Sequence, residues 1–242
     1  MRKFAISDIH GCRKTFVALL DQIAFSKSDE LYLLGDYVDR GPDSKGVLDE
    51  IFYLQKNDYT VCCLRGNHEE ILLRSLYDPV GLENWLLTDG KKTMDSFGVE
   101  RTEDIPAVYI DFIREMDYYF EIYEYILVHA GLNFHLFDPL VDQRDLLIIR
   151  RWYDNIRYDW LGRRIILHGH TPMPFYDIGH QLLHLEENRY LDLDAGCVYA
   201  GSDRPDRAGL GYLCAFDMTN RELMFQENVE LTGGNEIENL RN

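Results

Sequence analysis

Short apolar runs and segments of helical spacing alternate along the first part of the chain. Apolar runs at 3–7, 31–34 and 60–64 predict three strands, and apolar residues of helical period at 15–23, 44–55 and 69–76 predict the helices between and after them. Such an alternation is typical of parallel strands covered by helices. The opening of the chain therefore predicts an α/β fold.

The middle of the chain, residues 79–116, has a mainly helical pattern with breaks expected near Gly81, Gly90 and Pro106. We interpret it as an insert that shapes the entrance of a site. Residues 1–231 are expected to form one catalytic domain that includes this insert. The polar, glycine-rich residues 232–242 are expected to form a flexible tail.

Strands are predicted to return after the insert. Two closely spaced segments near the end of the chain are separated by the turn-forming residues 217–221, which indicates a hairpin. The further predicted strands are 120–122, 125–128, 165–167 and 190–193, followed by the hairpin strands 211–216 and 222–226.

Five polar clusters follow predicted strands, and they carry most of the chemistry of this chain. Ligands of open α/β sheets gather beyond the carboxyl ends of the strands, so these clusters are expected to converge. They are Ser7-Asp8-Ile9-His10-Gly11, Gly35-Asp36-Tyr37-Val38-Asp39-Arg40-Gly41, Arg65-Gly66-Asn67-His68-Glu69, His129-Ala130-Gly131 and His168-Gly169-His170-Thr171.

Carboxylate, amide and imidazole donors in this number suit two divalent cations that share one carboxylate. A single Asp or His after a strand is usually only a turn or cap residue, but five such clusters in order argue against coincidence. Of His168 and His170, only one is expected to contact metal. The candidate assignment is Asp8 and His10 on the first ion, Asp36 on both, and Asn67, His129 and His170 on the second.

Other residues of the clusters could bind phosphate and transfer a proton. Arg40 is a candidate for binding the phosphate oxygens. Arg65 is either a second phosphate ligand or a brace for its loop. His68 could protonate the leaving oxygen with Asp39 as its partner, although it could instead cap its helix or bind metal.

Composition narrows the setting of this chemistry. The net charge of −17 argues against a nucleic-acid backbone as the main partner. Five cysteines without a Cys-x-x-Cys motif indicate neither a disulfide framework nor a zinc–thiolate site. No apolar run approaches the roughly 20 residues that span a bilayer, and residues 1–6 do not resemble a signal peptide. We expect no membrane partner and a cytoplasmic location.

The five clusters resemble those of the phosphoprotein phosphatase branch of the calcineurin-like metallophosphoesterases, and are similar in form to short bacterial and phage serine/threonine phosphatases. The motifs GDxHG, GDxVDRG, GNHE, HAG and GHTP appear in order between Asp8 and Pro172, and only the first is altered, by Ser7 in place of glycine. The resemblance implies a four-layer α/β/β/α sandwich in which two mixed β-sheets are flanked by helices.

The same resemblance implies the roles of the site residues. It places Asp8, His10 and Asp36 at one metal, and Asp36, Asn67, His129 and His170 at the other. It also implies His68 as general acid with Asp39 as its partner, phosphate binding by Arg40, and a further phosphate-binding arginine, either Arg150 or Arg151. Hydrolysis would proceed by direct attack of a metal-bridging hydroxide, without a phosphoenzyme.

Two enzymatic functions and one other class follow from these expectations. A serine/threonine protein phosphatase with two divalent ions, manganese before iron or zinc, is the preferred hypothesis. Its substrate would be a phosphorylated protein or a small phosphoester. The alternative is a symmetrical diadenosine tetraphosphatase or a related nucleotide pyrophosphohydrolase. A binding module without activity is disfavoured, because every candidate ligand and His68 are present.

Overall fold

Two mixed β-sheets form the centre of the computed structural model, which describes residues 1–230. One sheet has five strands in the order β3-β2-β1-β8-β9, and the other has four in the order β4-β5-β6-β7. The strands are β1 (Lys3–Ile6), β2 (Glu30–Leu33), β3 (Thr60–Cys63), β4 (Tyr119–Ile122), β5 (Tyr125–Val128), β6 (Ile165–His168), β7 (Tyr190–Asp192), β8 (Tyr212–Asp217) and β9 (Glu222–Glu227).

Parallel and antiparallel pairs are combined in each sheet. β1, β2 and β3 are parallel, as the alternating pattern predicted. β5, β6 and β7 are also parallel, while β4 runs antiparallel to β5. The predicted hairpin of β8 and β9 is confirmed, and β8 joins the first sheet antiparallel to β1. Three neighbouring parallel strands in each sheet therefore have their carboxyl ends at a common edge.

Alternating side chains along the strands divide the apolar core into layers. In β1, Ile6 belongs to the cluster under the helices of the first sheet, whereas Ala5 faces the space between the sheets. In β5, Leu127 faces that same space, whereas Val128 packs in a third cluster that includes Trp152. Because successive strand residues point to opposite faces, both sheets are covered on both sides. The four-layer sandwich is thus confirmed.

Ten α-helices connect and cover the strands in residues 1–230. The first three helices are present as predicted, with shifted ends. The second is capped by Asp43, whose side chain accepts from Gly46 N–H. In full, the helices are α1 (Arg13–Gln22), α2 (Ser44–Lys56), α3 (Asn67–Ser75), α4 (Pro79–Thr88), α5 (Gly90–Phe97), α6 (Ala107–Arg114), α7 (Gln143–Ile148), α8 (Tyr158–Leu161), α9 (Phe175–Leu183) and α10 (Leu185–Asn188).

The middle segment is helical, as predicted, and consists of α4, α5 and α6. The chain breaks at Asp89 and before Ala107, near the expected Gly90 and Pro106. The expected break at Gly81 is wrong, because this residue lies inside α4, where Asp78 caps the helix and Pro79 occupies its first turn. No helix among the described residues is long and apolar enough to cross a membrane. The predicted tail, 232–242, lies outside the described residues.

Candidate metal centre

The five polar clusters meet where β1, β2, β3, β5 and β6 end. The backbone in these turns is unusual, because six non-glycine residues of the clusters have a positive φ between 46° and 71°. Such values are uncommon outside glycine and concentrate at functional sites, where the surrounding fold maintains them. The six residues are Asp8, His10, Asp36, Asp39, Arg40 and His170.

Two glycines allow the turns to approach each other closely. A Cβ atom on Gly66 would lie 2.2 Å from Asp36 Oδ1, and one on Gly169 would lie 2.1 Å from Asp8 Oδ2. Neither position has room for a side chain. The glycines of the third and fifth clusters therefore bring the backbone against the carboxylates of the other turns.

One group of donor atoms surrounds one oxygen of Asp36. Asp36 Oδ2 lies 3.4 Å from His10 Nε2 and 4.0 Å from His68 Nε2. Asp8 Oδ1 is 4.0 Å from His10 Nε2, while its other oxygen accepts from Ser7 Oγ and from the His170 N–H at 3.0 Å. The serine that departs from the family motif thus orients Asp8.

A second group lies on the other side of the same carboxylate. Asp36 Oδ1 is 3.5 Å from His129 Nε2, and that nitrogen is 3.0 Å from Asn67 Oδ1. The rings of His129 and His170 have centroids 5.1 Å apart. Ligand atoms of Asp36, His129 and His170 lie within 4.8 Å of one another, as do those of Asp36, His10 and His68. Asp36 therefore belongs to both groups, one oxygen towards each.

His10 and His129 direct their Nε2 atoms towards this centre. His10 Nδ1 lies 2.9 Å from the Val38 carbonyl oxygen and His129 Nδ1 lies 2.8 Å from that of Leu34, so each ring donates through Nδ1 and is oriented with Nε2 towards Asp36. Burial, together with the neighbouring His68 and Arg40, lowers the pKa of His10 well below its usual value. Neutral imidazoles are the form that binds a metal ion.

The structure brings His68 and Asp39 together as a buried pair. His68 Nδ1 is 2.7 Å from Asp39 Oδ2, and Asp39 is fully buried. Burial lowers the pKa of His68, but the carboxylates of Asp36 and Asp39 outweigh it and raise that pKa to about 9. The imidazole is therefore held in one orientation and in its protonated form at neutral pH.

Two residues of the helical insert hold Asp39 and were missed by sequence reasoning. The Trp85 indole N–H donates to Asp39 Oδ2 at 2.8 Å, and the Thr93 hydroxyl donates to Oδ1 at 2.6 Å. Both side chains are buried. No motif contains them, because α4 and α5 contact Asp39 only through the tertiary fold.

Glu69 has a larger role than the helix-dipole interaction that its place in α3 suggests. Its carboxylate accepts from the backbone N–H groups of Asp36, Tyr37 and Val38, and from Gly66 N–H. The distances are 2.8–3.2 Å, and the side chain is fully buried. Glu69 thereby fixes the turn that carries the shared carboxylate.

The candidate arginines have different surroundings. Arg40 Nη1 lies 2.8 Å from His10 Nε2, and Arg150 Nη1 donates to Thr171 Oγ1 at 3.0 Å beside His170. Arg65 instead contacts Glu70 and Tyr118 Oη through Nη1 and the Arg114 carbonyl through Nη2. These contacts support the bracing alternative for Arg65 and argue against the phosphate contact.

His168 and His170 lie in different surroundings. His168 is buried and lies 3.1 Å from Tyr153 Oη through Nε2 and 3.7 Å from Asp192 through Nδ1. Burial lowers its pKa to about 4. Only His170 of the two contributes an atom to the groups around Asp36.

Comparison with known proteins agrees with this geometry. Residues 1–201 match the sequence profile of the calcineurin-like phosphoesterase family, which is more than half of the chain. The chain belongs to this family. The match extends from β1 past the last of the five clusters, so all of the residues described around Asp36 lie within it.

Curated relatives in this family are similar to parts of the chain. A symmetrical bis(5'-nucleosyl)-tetraphosphatase of Nitrosomonas europaea is 33% identical over 134 residues, which are 54% of this chain and 45% of that protein. One of Wigglesworthia glossinidia brevipalpis is 45% identical over 74 residues, 30% of this chain and 26% of that protein. The chain thus spans less than half the length of these relatives.

A longer match is the asymmetrical bis(5'-nucleosyl)-tetraphosphatase PrpE of Oceanobacillus iheyensis, 25% identical over 80% of this chain and 83% of that protein. Among solved structures, a proposed diadenosine tetraphosphatase has a TM-score of 0.64 at 21% identity, over 94% of this chain and 93% of that one. A serine/threonine phosphatase of Saccharomyces cerevisiae also has a TM-score of 0.64, at 15% identity, over 95% of this chain and 81% of that one. At these identities, the likeness to the two solved structures shows a shared fold only.

Proposed function

We propose that the chain hydrolyses phosphoesters or phosphoanhydrides with two divalent metal ions, and that its substrates are dinucleoside polyphosphates. The observation that carries the hydrolytic function is the single carboxylate of Asp36, whose two oxygens face two separate groups of ligand atoms. Such a shared carboxylate is the arrangement that two-metal hydrolases require.

The residues at the centre fit a pair of ions. Buried carboxylates and neutral imidazoles with inward Nε2 atoms are costly to desolvate unless a cation compensates them. The first ion would be held by Asp8, His10 and Asp36, with His68 nearby but bonded to Asp39. The second would be held by Asp36, Asn67, His129 and His170. Manganese, iron and zinc suit this donor set.

When bound, the ions supply a nucleophilic water at neutral pH and neutralise part of the phosphate charge. The side chains of the protein would bind the phosphate group and protonate the leaving oxygen. Arg40, beside His10, and Arg150, beside His170, are placed to bind the non-bridging oxygens of the phosphate. His68, held by Asp39, would donate its proton to the leaving oxygen.

The curated relatives support dinucleoside polyphosphates over phosphoproteins as the substrate class. Both the partial and the longer matches are with bis(5'-nucleosyl)-tetraphosphatases. This favours the alternative over the protein phosphatase that the motifs alone suggest. The likeness to the yeast phosphatase, at 15% identity, carries no substrate information.

A substrate panel at one fixed manganese concentration tests the proposal. Specificity constants are measured for diadenosine tetraphosphate, a phosphoserine peptide and nitrophenyl phosphate. We expect the dinucleotide to be hydrolysed with the highest kcat/KM, and the products, ADP alone or AMP with ATP, report symmetrical or asymmetrical cleavage. A higher kcat/KM for the phosphopeptide would contradict this proposal and support the protein phosphatase hypothesis.

A further inference from the structure

A cleft of about 470 Å³ adjoins the candidate metal centre at Arg40. Arg40 lines it while its Nη1 atom lies 2.8 Å from His10 Nε2, so the cleft begins where the phosphate is expected to bind. Its walls come from the helical insert and from the segment between β7 and β8. The lining residues are Arg40, Thr88, Asp89, Lys91, Lys92, Val198, Tyr199 and Arg207.

The charge of the cleft is opposite to that of the protein. Its lining holds four cationic side chains and one carboxylate, in a chain of net charge −17. Cations clustered in a concave surface raise the local concentration of anions. The single carboxylate of the lining, Asp89 Oδ2, lies 3.7 Å from Arg40 Nε and orients that guanidinium. Outside the lining, Asp95 Oδ1 lies 2.9 Å from Lys91 Nζ, but this pair is exposed and contributes little.

Contacts within the cleft hold these cations in place. The Arg207 guanidinium carbon lies 4.0 Å from the centre of the Tyr199 ring, and that of Arg40 lies 5.9 Å from it. Lys92 Nζ donates to the Arg40 backbone carbonyl at 2.5 Å. The insert and the β7–β8 segment therefore present their charges at fixed positions on either side of Arg40.

We propose that this cleft binds the polyphosphate chain of the substrate beyond the phosphate that reacts, through Lys91, Lys92 and Arg207. A phosphomonoester would extend no further than Arg40 and Arg150, whereas several linked phosphates offer oxygens to every cation of the cleft. The proposal rests on the proposed function and adds to it the residues that select a polyphosphate. It also gives the insert a role in recognition.

Inhibition by inorganic tripolyphosphate tests the cleft without depending on the dinucleotide. Hydrolysis of nitrophenyl phosphate is inhibited at fixed free manganese in the wild type, Arg207→Gln and Lys91→Gln. Arg204→Gln is the matched control, because Arg204 lies in the same segment, is paired with Asp206 at 2.8 Å and does not line the cleft. Specificity constants for diadenosine tetraphosphate are measured with the same four proteins.

We expect the inhibition constant of tripolyphosphate to rise about fivefold to tenfold in Arg207→Gln and Lys91→Gln, but not in Arg204→Gln, and the effect to shrink at high salt. The ratio of kcat/KM for the dinucleotide to that for nitrophenyl phosphate should fall by a similar factor. If both cleft variants are inhibited like the wild type, the proposal is overturned. If the wild type does not hydrolyse the dinucleotide but the inhibition follows this pattern, the substrate assignment fails and the anion-binding cleft stands.

Discussion

Thr93→Val is the sharpest test of the contact between the helical insert and the candidate general acid. Valine has nearly the shape of threonine but lacks the hydroxyl that donates to Asp39 Oδ1 at 2.6 Å and accepts from Asp39 N–H at 2.9 Å. The backbone N–H keeps a second acceptor, Ser44 Oγ, at 3.0 Å. The loss therefore falls on the buried carboxylate oxygen and on the Ser44 hydroxyl, whose Oγ lies 3.1 Å from Thr93 Oγ1.

A hydrogen bond to a charged group contributes about 1.5–3 kcal/mol. For a chain of this size such a loss lowers Tm by about 3 to 12 °C. Asp39 still contacts His68 and Trp85 through Oδ2. Because that oxygen keeps its partners, we expect kcat to fall only about tenfold, out of the roughly hundredfold or more that a general acid contributes.

The assay compares two aryl phosphates and measures Tm by calorimetry in parallel. Phenyl phosphate, with a poor leaving group, should lose more kcat than nitrophenyl phosphate, while KM changes little. Thr93→Ser keeps the hydroxyl and should restore most of the activity. If Thr93→Val lowers Tm but leaves both substrates equally affected, Thr93 supports the fold only, and the reasoning about His68 is wrong.

Three further outcomes are expected. Asp36→Asn should reduce bound manganese, measured by elemental analysis, from two ions towards none, because one residue faces both ligand groups; a variant that keeps two ions would contradict the sharing. His68→Asn should slow phenyl phosphate turnover about 100-fold or more and nitrophenyl phosphate far less, and equal losses would argue against proton donation. Burial, and then the neighbouring Asp194, raises the pKa of Asp192 well above its usual value. The folded state therefore favours protonated Asp192. The free energy of unfolding decreases as pH rises above about 4, the pKa of this carboxyl in the unfolded chain. Asp192→Asn should therefore unfold at a higher temperature than the wild type at pH 8, and the difference should narrow towards pH 4; a constant difference would refute the linkage.

Much of the fold followed from local patterns. Runs of buried residues such as Leu31–Leu33 and the helical spacing after them predicted the parallel strands, because a two-residue or 3.6-residue period directly reflects which face is buried. The helices α7 to α10 were not predicted. They are short or carry weak signals, and packing against the second sheet, as for Ile178 and Leu185, stabilises them.

The candidate site was also predictable only in part. Which donor types meet at the strand ends could be predicted, because the carboxyl ends of parallel strands share one edge. The choice between the two roles offered for Arg65, the four N–H groups bound by Glu69, and the contacts of Trp85 and Thr93 with Asp39 could not be predicted. Each joins residues distant in the chain or depends on the conformation of a turn.

The sequence by itself determined the order of the strands, the helices as far as the end of the insert, and the identity of the residues that converge on Asp36, since period and strand-end position are local properties. Only the tertiary structure decided which of these side chains touch, and it placed the cations of the insert beside Arg40. Such contacts depend on how elements distant in the chain pack against each other, and a local sequence pattern does not determine that packing.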